Sequence, residues 1–147
     1  MTKIKDIDFT AEVQFKAVEL LYSNLSATHA NTNNNAAFSF EIKTEIQLNQ
    51  EQKFVIVIIA VKILNESKET QIGSLATSNI FYIDNYNKVV TQDADGKAIL
   101  PELFVTTLNA ISLSTTRGVM WSTFKGTMLH DAILPIIDPK MVEKNKG

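Results

Sequence analysis

Residues 53 to 64 read KFVIVIIAVKIL, and this stretch limits the fold more than any other. Its β-branched residues favour an extended chain, which turns Val55, Val57, Ile59, Val61 and Ile63 to one side and Phe54, Ile56, Ile58, Ala60 and Leu64 to the other. A strand apolar on both faces belongs inside a sheet and needs cover on each side. The segment before it, FSFEIKTEIQL at 38–48, alternates strictly. Phe38, Phe40, Ile42, Thr44, Ile46 and Leu48 share one face, with Ser39, Glu41, Lys43, Glu45 and Gln47 opposite, as in a half-buried strand. After the turn-like NESKET, the stretch QIGSLATSNIFYI at 71–83 forms a third strand with a possible bulge at Gly73. This order suggests an antiparallel meander.

Upstream, VELLYSNLSA at 18–27 reads as a further strand, although AEVQFKAVELL would also serve as a short helix. The asparagine-rich HANTNNNAA, residues 29–37, reads as a loop. The period changes in ILPELFVTTLNAISLSTTRGV. There Leu100, Leu103 or Phe104, Leu108, Ile111 and Thr115 make one helical stripe, with Pro101 and Glu102 suited to its first turn. Arg117 and Gly118 suit its end, as a cation at the negative pole of the dipole and a left-handed cap. Trp121, Phe124 and Gly126 then fall in an exit loop leading to MLHDAILPIIDPKMVEKN, an apolar piece broken by Pro135 and Pro139. The elements thus describe a single α+β domain over 1–147, with 143–147 as a flexible tail. One helix can cover only one side of such a sheet, so a partner subunit, or else a bound apolar ligand or peptide, must cover the other.

Composition narrows the function. The chain of 147 residues has no cysteine, which removes thiolate nucleophiles and cysteine zinc sites and agrees with a reducing compartment. Its 14 basic and 16 acidic residues give a formal charge of −2, with no footprint for nucleic acid. The apolar run Phe54 to Val61 spans eight residues, too few for a bilayer, where roughly 20 are needed. The amino-terminal stretch lacks the apolar core of a signal peptide, so a cytoplasmic protein without membrane insertion is expected.

Candidate chemistry is sparse. TQDADGKAILPE places Asp93, Asp95, Gly96 and Glu102 at EF-hand spacing, but Thr91 stands at the first ligand position, Ala98 replaces the large aliphatic, and Pro101 intrudes. A plain turn is the better reading. His29 and His130 are too far apart in sequence to suggest a metal cluster or a triad. Ser114, Thr115 and Thr116 have neither a nucleophile elbow nor an evident base. The chain is therefore expected to be no enzyme and to need no cofactor or metal.

Several strings resemble the SecB-like export chaperone family. LLYSNLS is similar to that family's first strand, and QIGSLATSNIFYID to its last, with Asn79 standing where the family has glycine. The long helix entered through Leu100 and Pro101, followed by Ser114 to Gly118, an apolar loop, a proline and a terminal segment, is similar to the family's helical half. The resemblance implies a four-stranded antiparallel sheet with a long helix and a short carboxy-terminal helix on one face, assembled as a homotetramer, a dimer of dimers. It implies a holdase that binds unfolded or newly made polypeptides in apolar grooves without nucleotide. Partners would be export clients and the SecA motor, or the antitoxin of a toxin-antitoxin system. By position, client contact would fall to Phe38, Phe40, Ile42, Phe81, Trp121, Phe124, Ile133, Ile136, Ile137 and Met141. A small apolar ligand or lipid in the same groove is the competing reading.

Overall fold

The two-faced strand lies inside the sheet. In the computed structural model, which describes residues 1–6, 9–26 and 37–140, Phe54–Asn65 (β4) pairs antiparallel with Phe38–Asn49 (β3) on one side and Gln71–Ile83 (β5) on the other. Val55, Val57, Ile59, Val61 and Ile63 are buried to 1% exposure or less. Withdrawing these five side chains from water contributes on the order of 10 kcal/mol gross. The opposite face of β4, with Phe54, Ile56, Ile58 and Ala60, is only half-buried.

Asparagines build both hairpins. Asn49 Oδ1 accepts the Gln52 amide at 3.0 Å, and Lys53 turns the chain with a positive φ of 59°. In NESKET, Asn65 Oδ1 accepts the amides of Glu69 at 3.0 Å and Thr70 at 3.2 Å, so one side chain organises the turn.

The sheet is more than a meander and has five strands, not four. Thr10–Leu25 (β2) does not pair with β3. It lies beside β5, and Thr2–Lys5 (β1) folds back on its first residues, giving the order β1-β2-β5-β4-β3. This is a Greek-key arrangement. β5 is buried from Ile72 to Asn79 and therefore needs a neighbour on each edge, which β2 supplies on the side away from β4. The helical alternative for 11–21 is excluded, because β2 is extended for 16 residues.

Gly73 lies beside a bulge, since the β4–β5 register shifts after Ile63. A Cβ there would collide with the Leu129 side chain and come within 3.1 Å of the Asn24 carbonyl. Two short elements follow that the sequence reading did not include. They are the helical turn Tyr86–Val89 (α1) and the hairpin of Thr91–Gln92 (β6) with Ala98–Ile99 (β7).

The long helix, Glu102–Phe124 (α2), runs two turns past the expected cap. Arg117 and Gly118 lie inside it. Gly126, with φ 79°, is the left-handed residue just after its end. Trp121 and Phe124 are thus helical, not part of an exit loop. The buried stripe is Phe104, Leu108, Asn109, Ser112, Leu113, Thr116, Met120 and Phe124, so Ile111 and Thr115 fall outside it. After the helix, residues 132–138 carry no regular secondary structure and form a strap, and Pro139 and Lys140 begin a helical turn. The asparagine-rich loop from His29 to Ala36, Met141 and the 143–147 tail lie outside the described residues.

Candidate functional site

The residues expected to contact a client fall into three environments. Phe38, Phe40 and Ile42 stand on the helix-facing side of β3, partly buried, as the register Phe40↔Ile63 and Ile42↔Val61 requires. Phe81 and Phe124 are core residues, at 0% and 3% exposure. Phe81 also stacks on Phe15, with ring centroids 4.7 Å apart. Trp121, Ile133 and Ile136 face outward, exposed by 47%, 52% and 96%. Lys125 Nζ sits 5.0 Å above the Trp121 ring, a cation–π contact that leaves much of the indole free. Ile137 packs against the core from its rim.

A second apolar array was missed by the sequence reading. Beyond the segment paired with β1, β2 is exposed at every residue from Gln14 to Leu25, and it presents Phe15, Val18, Leu20, Leu21, Tyr22 and Leu25. Among the described residues no strand pairs with the outer edge of that stretch. Unpaired main-chain groups beside large apolar side chains invite another strand. The opposite edge, β3, alternates Glu41, Lys43 and Glu45 on its solvated face, and such charges discourage pairing. Two register shifts in β2, after Phe15 and after Leu20, put extra residues on the strand. They break the period-two pattern, which explains why sequence alternation did not mark both faces of β2 as apolar.

Between sheet and helix runs a polar seam. Thr77 and Thr116 hydroxyls meet at 2.8 Å, and Asn79 Nδ2 donates to the Val57 carbonyl and to Thr77 Oγ1, both at 3.0 Å. Asn79 is fully buried and, among the described residues, its Oδ1 has no partner. A glycine at position 79 would supply neither of the two Asn79 bonds.

Arg117 binds main chain. Its Nε donates to the Leu134 carbonyl at 2.6 Å and its Nη2 to that of Pro135 at 2.9 Å, tying the strap to α2.

The other motifs have structural roles. Asp93 Oδ1 accepts the amides of Asp95 and Lys97, each at 2.9 Å, which closes the β6–β7 turn. His130 Nδ1 accepts the Gly126 amide at 3.4 Å. Among the described residues, no three His, Cys, Asp or Glu side chains gather to hold a metal. A cleft of about 490 Å³ opens between the β3–β4 turn and α1, lined by Leu48, Gln50, Tyr86, Asn87, Val90, Thr91, Gln92 and Ala98. Burial pushes the Tyr86 phenol up from its ordinary range. The lining is uncharged and dominated by amides and hydroxyls. No helix among the described residues is long and apolar enough to cross a membrane.

Neither a known protein family nor a curated protein matches the sequence. Solved structures do. A SecB-like chaperone of Mycobacterium tuberculosis, Rv1957, determined in complex with a ChAD peptide from the HigA1 antitoxin, superposes with a TM-score of 0.60. Identity is 12%, over 85% of this chain and 90% of that one. A protein of unknown function from Streptococcus agalactiae matches at a TM-score of 0.40 and 12% identity, over 78% of this chain and 89% of that one. At 12% identity the likeness is one of fold. The chain has a SecB-like α+β fold with a curled antiparallel sheet and a long helix.

Proposed function

We propose that this protein is a holdase chaperone that masks apolar segments of unfolded or newly made polypeptides. The observation that carries the reading is the amount of large apolar surface left open on a SecB-like fold. It comprises the half-exposed Trp121 with Ile133 and Ile136 beside the helix end, and six residues along β2. A folded chain leaves such surface in water when something else is to occupy it.

The two arrays suit different occupants. The β2 edge offers main-chain groups and a long apolar strand, which fits pairing with the β2 of a second copy across a two-fold axis. Between Glu102 and Ser122, α2 carries only Arg117 as a charge. Its outward Leu103, Ile111 and Gly118 therefore offer a second, uncharged contact, and the two together would build a dimer of dimers. The helix-end surface, with Trp121 and the rim of Phe38, Phe40 and Ile42, is left for the client, and the strap that carries Ile133 and Ile136 lies over it. Large aromatic and aliphatic side chains without charge partners suit extended chains of many sequences, and binding there needs no nucleotide.

Whether clients are many exported proteins, handed on to the SecA motor, or a single antitoxin is a second question. The fold neighbour bound to an antitoxin peptide supports a dedicated client as the alternative. The cleft between the β3–β4 turn and α1 does not suit a small apolar ligand, because amides and hydroxyls make up most of its lining.

The test is aggregation suppression with several unrelated unfolded proteins, run beside a fluorescent fatty acid as a competitor probe. Suppression of all of them, with no effect of the fatty acid, supports a general holdase. Protection of only one class points to a dedicated client. Fatty-acid binding without any protection overturns the reading.

A further inference from the structure

The strap after α2 is irregular and is held by side chains. Over residues 132–138, Ala132 and Leu134 enter the core cluster while Ile133 and Ile136 face outward, yet among the described residues no strand pairs with it. The backbone bonds at its start are local, from the Ala132 amide to Leu129 O and from the Ile133 amide to Asp131 O, both 3.0 Å. Its tie to α2 is the Arg117 fork on the carbonyls of Leu134 and Pro135, and among the described residues that guanidinium has no other hydrogen-bond partner.

Main-chain carbonyls gripped by a side chain, with alternate residues sunk into an apolar floor, are the contacts by which any extended polypeptide could be held. The floor is the cluster against which Phe38, Phe40 and Ile42 also pack. We propose that residues 132–138 are an internal ligand of the client groove, latched by Arg117, and that a client enters by displacing them. This rests on the client-binding reading above and adds its regulation. Arginine suits the latch because its planar fork reaches two successive carbonyls, whereas lysine offers a single point charge. A segment held by one side chain and a few apolar contacts, with no ladder, opens at far lower cost than the sheet.

Because the chain has no cysteine, a spin label on Asp138→Cys, at a strap residue outside the client-contact set, reports the strap alone. The probe client is carboxymethylated, permanently unfolded α-lactalbumin. Its addition should mobilise the label. Arg117→Ala should mobilise the label without client and tighten client binding about five- to tenfold, as expected from losing a partly exposed charged hydrogen-bond pair. Arg117→Lys should recover part of the effect. Leu134→Ala, which removes the strap's buried side chain but keeps Arg117 and both carbonyls it binds, should move label and affinity in the same direction. If the polypeptide binds while the label stays fixed, and Arg117→Ala binds no tighter, the strap is fixed structure and the proposal falls while the holdase reading stands. If no form captures the polypeptide, both fall.

Discussion

Gly73 shows how a single residue can be demanded by packing. Its missing Cβ makes room for Leu129, which brings the loop after α2 onto the sheet. Gly73→Ala should cost about 1–3 kcal/mol as the two segments are pushed apart, measurable in urea unfolding. Trp121 differs, since it is half-exposed and its contact with Lys125 is at the surface. Trp121→Ala should change stability by less than about 1 kcal/mol and weaken client capture at least severalfold in a binding titration. At this scale the sequence was only partly readable. The aromatic residues could be recognised, but Phe81 and Phe124 are buried while Trp121 is open, and three-dimensional register decides which. The pairing of Asn79 with Thr77 and Val57, and of Thr77 with Thr116, joins residues up to 39 positions apart and left no local signal.

Among the elements, β3, β4 and β5 were legible almost to the residue, because alternation and the asparagine turns gave consistent local instructions. The long helix was legible in kind but not in length. The Arg-Gly pair imitates a stop signal, and Gly118 turned out to be interior. A Cβ at Gly118 meets nothing within 4 Å. Gly118→Ala should therefore stabilise the helix by about 0.5–1 kcal/mol, raising the melting temperature by about 2 °C, which calorimetry can resolve. No gain would mean that this face of α2 is already filled. β1, which pairs only with the start of β2, is four residues long, too short for periodicity to reveal.

For the whole molecule, sequence order suggested that neighbouring strands pair, and β2 broke that rule by crossing to the far side of the sheet. That crossing leaves the Gln14–Leu25 edge open, and with it the expectation of self-assembly. Leu20→Lys should leave the circular dichroism of the sheet intact and reduce the assembled mass at least twofold in analytical ultracentrifugation, because a charge on a pairing edge is costly when covered and nearly harmless when exposed. An unchanged mass would exclude the β2 edge as the subunit contact.

The most direct measurement is the light-scattering mass of the purified protein, eluted alone and then with carboxymethylated α-lactalbumin. A chaperone of the proposed kind elutes as a tetramer and gains the mass of the unfolded polypeptide. A monomer that passes the polypeptide by, with Trp121, Ile136 and the β2 edge still exposed, would contradict it.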